Sequence, residues 1–141
     1  MRHARRGFTL LEVMVVVFIL GLLATIIVPR LVGRTDEARR VKALADLKSV
    51  AQALDLYRLD AGTYPTSQQG LAALVERPSA PPAPARWNPA GYLDRVPVDP
   101  WNRPYVYFRT DDDRYQLKSL GADGAEGGNG TFADIDHTTD P

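Results

Sequence analysis

A chain of 141 residues has room for one small domain and an additional segment, and its 17 basic residues balance its 17 acidic residues. This balance gives no indication of a nucleic-acid partner, and the absence of cysteine excludes disulfides, thiolate metal sites and a cysteine nucleophile. The two histidines, His3 and His137, lie near opposite ends of the chain, where a buried hydrolytic triad is not expected. We therefore predict that the chain is not an enzyme.

The first thirty residues combine a short basic stretch with a long apolar one. Met1–Gly7 carries three arginines, and residues 8–28 (FTLLEVMVVVFILGLLATIIV) contain almost no polar side chain. As a helix this run reaches about 31 Å, which matches the thickness of a bilayer core. Because the basic residues come first, we expect the N-terminus in the cytoplasm and the remainder of the chain in the periplasm. A secretory signal peptide would have a shorter apolar run followed by an A-x-A cleavage site, which this sequence lacks.

One carboxylate, that of Glu12, interrupts the apolar run. A charge there costs a few kcal/mol on insertion scales unless it has a partner or lies near the membrane interface. Cleavage after Gly7 would make Phe8 the new N-terminus, with its ammonium about one helical turn from Glu12 or paired with Glu12 of a neighbouring subunit. The alternative interpretation is a simple membrane anchor with an accidental glutamate.

The junction Gly7-Phe8-Thr9-Leu10-Leu11-Glu12 resembles that of the type IV pilin and type II secretion pseudopilin family. The resemblance implies that a prepilin peptidase cuts between Gly7 and Phe8 on the cytoplasmic side and methylates Phe8, and that Glu12 serves in assembly. We expect three segments, a cleaved leader, a transmembrane and assembly helix and a periplasmic domain, at residues 1–7, 8–29 and 30–141.

The periplasmic part begins with a continuation of the helix over residues 34–60. Its apolar side chains recur at three- and four-residue steps, which is typical of a core-facing stripe: Val41, Leu44, Leu47, Val50, Leu54 and Tyr57. Ala61-Gly62 ends this helix. Thr66 and Gln69 have the spacing of a capping box, which predicts a short helix over Ser67–Val75.

Two further features describe the small domain. Pro78–Pro89 holds five prolines and Trp87, and we predict a surface loop laid over the domain because the remaining chain is too short to fold separately. Tyr105–Arg109 and Arg114–Leu120 are typical of paired strands with a reversal between them. The three aspartates Asp111–Asp113 then form a solvated hairpin tip rather than a metal site.

Several motifs narrow the resemblance to the major pseudopilins of type II secretion. In chain order these motifs are Thr63–Thr66, Gln69–Leu74, Trp87-Asn88, Gly91–Leu93, Pro97–Trp101 and Ser119–Gly124. We predict an α+β pilin-like fold, in which a small antiparallel sheet and a C-terminal loop pack on the second half of a long N-terminal helix. The resemblance implies a structural subunit of an inner-membrane-anchored periplasmic filament that drives folded proteins through an outer-membrane secretin. The implied partners are further copies of the chain, minor pseudopilins, the prepilin peptidase and the inner-membrane assembly platform.

The Gly121–Asp136 segment holds five glycines and four acidic residues. Carboxylates and backbone carbonyls suit Ca²⁺, but the pattern is neither an EF-hand nor an RTX repeat, so the residues alone leave a calcium site and a plain acidic turn equally open. The resemblance implies a structural Ca²⁺. The implied ligands are the carbonyls of Leu120 and Ala125 and the carboxylates of Asp123 and Asp134, with Gly128, Asn129 or Asp136 completing the shell. One family carboxylate is missing, because the family's Asp-Asp-Ile is Ala133-Asp134-Ile135 in this chain.

Two alternatives to a pseudopilin remain at this point. A type IV pilin of a surface or DNA-uptake fibre has the same N-terminal junction, but the absence of cysteine and the calcium-like loop argue against it. A membrane-anchored periplasmic binding or enzymatic domain would work as a monomer. Such a domain would tolerate Glu12→Ala, whereas a filament subunit would not.

Overall fold

The computed structural model of the protein describes residues 9–138, with the backbone alone at residues 24–34 and 138. The elements in this range are helix α1 (Leu10–Ala61), a 3-10 helix (Gly70–Leu74), strands β1 (Val106–Asp111) and β2 (Arg114–Ser119), a second 3-10 helix (Gly130–Phe132) and strand β3 (Ile135–Thr138). The strands form an antiparallel sheet in the order β1-β2-β3. Two compact units make up the chain, and the boundary between them falls within α1, between Thr35 and Asp36.

The first unit contains the apolar start of α1. Thr9 caps the helix, because its hydroxyl oxygen accepts a hydrogen bond from the backbone N–H of Glu12 at 3.2 Å. The large apolar side chains that follow are all exposed, from 81 % at Leu10 to 47 % at Leu23. Among the described residues, no helix has both the length and the apolar character needed to cross a membrane.

The second unit has its core between the later part of α1 and the sheet. On α1 the buried residues follow steps of three and four, as a helix face requires: Ala43, Leu47, Val50, Leu54 and Tyr57. They pack against buried apolar side chains from the rest of the unit: Tyr64, Leu71, Leu74, Tyr105, Tyr115, Leu117 and Ile135. The helix is therefore the spine of the domain, as the sequence predicts.

Two members of the predicted stripe do not belong to this core. Val41 is 63 % exposed and Leu44 is 42 % exposed, so the prediction of a core position is wrong for both. A helix turns by about 100° per residue, which places Val41 about 120° away from Leu47 around the axis. Ala43, four residues before Leu47 and fully buried, lies on the buried face instead.

A pair of leucines on α1 tests this placement of the core. Leu54→Ala removes a fully buried side chain, and we expect a loss of roughly 2–5 kcal/mol in the free energy of unfolding. Leu59→Ala is the matched control, because Leu59 is 80 % exposed on the same helix and its loss should cost less than about 0.5 kcal/mol. Tryptophan fluorescence during urea unfolding of the full chain in detergent micelles measures both. Equal losses would contradict the assignment of the buried face.

The predicted short helix after α1 is replaced by a turn and a 3-10 helix. The capping box itself is confirmed: the N–H of Thr66 donates to Gln69 Oε1 at 2.9 Å, and the N–H of Gln69 donates to Thr66 Oγ1 at 3.1 Å. Gly70 follows with a φ of +58°, which an α-helix does not accommodate. This left-handed residue ends the turn that precedes it, and a separate 3-10 helix over Gly70–Leu74 follows in place of an α-helix over Ser67–Val75.

The proline-rich segment lies over the domain, as predicted. Trp87 packs against the core, and its indole N–H donates to the carbonyl of Ala73 at 3.0 Å. Gln69 holds an earlier part of the segment, because its side-chain amide donates to the carbonyls of Ala80 at 2.9 Å and Pro82 at 3.1 Å. These bonds attach a segment without regular secondary structure to the rest of the unit.

The sheet contains the predicted hairpin and one strand that the sequence analysis missed. In the hairpin, β1 and β2 pair antiparallel, and Asp113 at its tip lies 2.6 Å from Arg58 of α1. Strand β3 pairs with β2, with Ser119 opposite Ile135 and Leu117 opposite His137. The sequence predicts a loop up to Asp136, because a four-residue strand with one large apolar side chain has almost no alternating pattern.

Candidate functional site

A buried polar cluster lies where the C-terminal loop, residues 120–134 between β2 and β3, leaves the sheet. Asp99 is 3 % exposed and Ser119 is fully buried, and the Ser119 hydroxyl donates to Asp99 Oδ2 at 2.8 Å. The other oxygen, Asp99 Oδ1, accepts the N–H groups of Trp101 at 3.0 Å and Arg103 at 2.8 Å. The N–H of Gly121 in turn donates to Ser119 Oγ at 3.3 Å. These bonds satisfy the buried carboxylate and fix the first residues of the loop.

Two arginines bind the main chain of the loop at its two ends. Arg103 donates to the carbonyl of Gly121 at 2.9 Å and to that of Ala122 at 3.3 Å. Arg40 of α1 donates to the carbonyl of Ala133 at 2.6 Å. The sequence analysis assigned no role to these arginines or to Asp99. Asp99 could have been found from the sequence, because an aspartate before Pro-Trp in a turn-rich segment often accepts backbone N–H groups. An arginine that binds backbone carbonyls has no comparable sequence signal.

Asp134 is the predicted ligand whose surroundings are most unusual. Its Oδ2 accepts the N–H of Gly127 at 3.2 Å and lies 3.5 Å from Lys118 Nζ. Its Oδ1 is buried and has no hydrogen-bond partner among the described residues. A buried carboxylate oxygen without a partner is costly, and a cation beside it removes that cost.

Lys118 places a positive charge next to the carboxylate of Asp134. Its ammonium is 2.8 Å from Glu126 Oε1, and this hydrogen bond, with the charges of Glu126 and Asp134, raises the pKa of Lys118 above its ordinary value. The lysine therefore carries its charge at neutral pH. The sequence analysis did not consider Lys118, because a lysine on a strand is usually a solvated surface residue.

The other predicted ligands lie in the first turns of the loop. Asp123 is exposed, and its Oδ1 accepts the N–H of Ala125 at 3.1 Å, which turns the chain locally. The Leu120 carbonyl accepts the N–H of Gly124 at 3.1 Å and keeps a second lone pair. Over residues 9–138, no three side chains of His, Cys, Asp or Glu are grouped so that they could hold a metal ion. A cation in this loop would therefore depend on backbone carbonyls in addition to carboxylates.

Gly128 allows the two sides of the loop to approach each other. Its φ is +84°, and a Cβ atom at this position would lie only 2.4 Å from the carbonyl oxygen of Phe132. Glycine is therefore required here both by the backbone conformation and by space. Asp136, a further candidate in the sequence analysis, lies outside the loop in strand β3, where it is exposed.

The predicted processing and assembly residues lie at the start of the chain. Glu12 is in the first turn of α1 and is exposed, and a carboxylate at this end of a helix is favourable to its dipole. Gly7 and Phe8, the predicted cleavage and methylation residues, lie outside the described residues.

Models of two known protein families match this chain. Residues 2–28 match the model of the prokaryotic N-terminal methylation motif, and residues 30–138 match that of type II secretion system protein G. The chain is 50 % identical to type II secretion system core protein G of Pseudomonas aeruginosa over 95 % of both chains. It is 50 % identical to the core protein G of Vibrio cholerae, over 92 % of this chain and 88 % of that protein.

A solved structure with a similar fold supports the same family. The chain is similar to the major pseudopilin from the type 2 secretion system of enterohaemorrhagic Escherichia coli, with a TM-score of 0.65 and 38 % identity. The similarity covers 77 % of this chain and 93 % of that one.

The long N-terminal helix, the small antiparallel sheet and the methylation motif define a pilin-like protein of the α+β class. The chain belongs to the protein G family of the type II secretion system. The predicted pilin-like fold and the recognition of a major pseudopilin are thereby confirmed, and the family is one of structural subunits.

Proposed function

We propose that the chain is the repeating subunit of the periplasmic pseudopilus, a filament that drives folded proteins through an outer-membrane secretin. The supporting observation is the apolar start of α1, where every large apolar side chain from Leu10 to Leu23 is exposed around a single carboxylate at Glu12. Such a surface needs lipid or other helices to cover it. Neighbouring copies in a filament supply such helices.

The proposal also covers the membrane topology, the assembly partners and the processing of the chain. Residues 8–29 cross the inner membrane once, and residues 30–141 lie in the periplasm. Minor pseudopilins and the inner-membrane assembly platform act with the chain during assembly. The match of residues 2–28 to the N-terminal methylation motif supports processing by a prepilin peptidase.

Complementation tests this function. We expect the chain to restore secretion in a type II secretion strain that lacks its own protein G, and to form pili visible by electron microscopy when it is overproduced there. A type IV pilin would form fibres without restoring secretion. A stable, correctly inserted chain that gives neither fibres nor secretion would instead support a monomeric periplasmic domain.

Processing gives a separate prediction. Cleavage between Gly7 and Phe8 removes three of the 17 basic residues and none of the 17 acidic ones, so the mature chain has a formal charge of −3. We expect intact-mass measurement to give a chain that begins at Phe8 and carries one added methyl group. Fragmentation of the N-terminal peptide in a mass spectrometer is the control, because it places the added methyl group on Phe8 and not on Glu12. A mature protein that begins beyond Ala24 would contradict the prediction and indicate an ordinary signal peptide.

We also propose a structural Ca²⁺ in the C-terminal loop. The Oδ1 of Asp134, which has no hydrogen-bond partner within the described part of the chain, supports a cation there, and Asp123 supplies a second carboxylate in the same loop. The carbonyls of Leu120 and Ala125, with Gly128, would supply the further oxygens that Ca²⁺ accepts. Bound Ca²⁺ neutralises the carboxylates and cross-links the two sides of the loop.

A further inference from the structure

Lys118 is a cation built into the C-terminal loop. It lies on the central strand β2, and its side chain is only 21 % exposed because it turns toward the loop. Its ammonium is 2.8 Å from Glu126 Oε1 and 3.5 Å from Asp134 Oδ2. A single lysine thus pairs with two carboxylates that belong to opposite sides of the loop, and its charge offsets one of their two negative charges.

The two oxygens of Asp134 have different surroundings. Oδ2 is occupied by Lys118 and by the N–H of Gly127, whereas Oδ1 is buried and has no hydrogen-bond partner among the described residues. A cation at Oδ1 would share one carboxylate with the ammonium of Lys118. The ammonium also opposes a bidentate contact to both oxygens, which is a mode of binding that Ca²⁺ often uses.

We propose that Lys118 is the counter-ion of the loop when calcium is absent and that it lowers the affinity of the loop for calcium. This inference rests on the calcium site proposed above. Without the metal, the lysine offsets the repulsion between Glu126 and Asp134 and keeps the loop folded. With the metal, the same charge repels the divalent ion and competes for Asp134.

Glu126 determines how strongly the lysine acts. It makes the shorter of the two contacts with Lys118, at 2.8 Å against 3.5 Å for Asp134, so it draws the ammonium away from Asp134. Removal of the Glu126 carboxylate leaves Asp134 as the only acidic partner described for Lys118. The two residues should therefore change calcium affinity in opposite directions.

Calorimetric titration of the full chain in detergent micelles with CaCl₂ tests the inference. A unit charge beside a carboxylate that binds a divalent ion in a partly solvated site changes the affinity for that ion by roughly a factor of ten. We expect Lys118→Met to lower the Kd for calcium about tenfold and also to lower the melting temperature in EGTA. Glu126→Gln should raise the Kd by a comparable factor, and this exposed substitution does not threaten the fold.

Lys42→Met is the matched control, because Lys42 pairs with Asp46 on α1 rather than with a loop carboxylate. It should change the Kd by less than about twofold. A Lys118→Met protein that is folded in calcium but binds it as well as, or more weakly than, the wild type would overturn the inference. In that case a wild-type protein that still binds calcium would leave the calcium site standing. A wild-type protein that binds no calcium would overturn both.

Discussion

Glu12→Ala is expected to reduce pseudopilus formation sharply while membrane insertion and leader cleavage continue. Glu12 is the only ionisable side chain in the apolar segment from Leu10 to Leu23. When the helices of several subunits bundle, this carboxylate and the new ammonium of Phe8 are removed from water together. Pairing between them, within one subunit or between neighbours, offsets the desolvation of both charges.

The expected size follows from the cost of leaving one charge alone. Without Glu12, each added subunit buries an unpaired ammonium at a cost of a few kcal/mol. About 2.7 kcal/mol per subunit raises the critical concentration for assembly roughly a hundredfold. Sheared-pili assays and electron microscopy of overproducing cells measure the yield, and intact mass confirms that the variant is still cleaved.

A local role for Glu12 has to be separated from this pairing. Thr9 accepts the backbone N–H of Glu12, and Thr-x-x-Glu is the spacing of a capping box, so the side chain also suits the start of the helix. Glutamine fits a capping box equally well but carries no charge. Glu12→Gln should therefore assemble as poorly as Glu12→Ala, and Glu12→Asp, which keeps the charge, should assemble better than both. Normal filament yield from Glu12→Gln would refute the pairing role.

The main elements of the fold were predictable because they depend on strong local signals in the sequence. The spine of α1 follows from apolar residues at helical spacing, and the capping box at Thr66 and Gln69 was correctly predicted from two residues three apart. The error at Val41 arose because two successive steps of three residues turn the stripe by about 120° around the helix, away from the face that Leu47 occupies. The error after Gly70 arose because the sequence does not reveal a left-handed φ at a glycine.

The candidate metal loop was predictable in composition but not in its contacts. Glycines and carboxylates identify a turn that suits calcium, and Asp134 was among the residues named. Arg103 approaches the loop from a turn elsewhere in the chain, and Lys118, two residues before the loop, contacts side chains that lie 8 and 16 residues further on, so no local spacing indicates either contact. The short strand β3 depends on its pairing with β2, which is a tertiary interaction that overrides a weak local preference.

Chelation of calcium is expected to lower the melting temperature of the full chain in detergent by on the order of 10 °C. A ligand that binds only the folded state stabilises it by about 2.7 kcal/mol at a hundredfold excess over its Kd. A small domain is sensitive to such a change, since each kcal/mol moves its melting temperature by several degrees. The local source of the expected instability is the buried Oδ1 of Asp134, for which residues 9–138 provide no hydrogen-bond partner.

The loop carboxylates have to be tested by the calcium-dependent difference and not by the absolute melting temperature. Asp134 also accepts the N–H of Gly127, so Asp134→Ala should destabilise the chain even in EGTA. We expect Asp123→Ala and Asp134→Ala to remove most of the difference between calcium and EGTA. Asp113→Ala, at the hairpin tip beside Arg58, is the matched control and should keep the full difference. Calcium-independent melting of a wild-type protein that elemental analysis shows to be metal-free would contradict the calcium site, because the loop would then be stable without a metal ion.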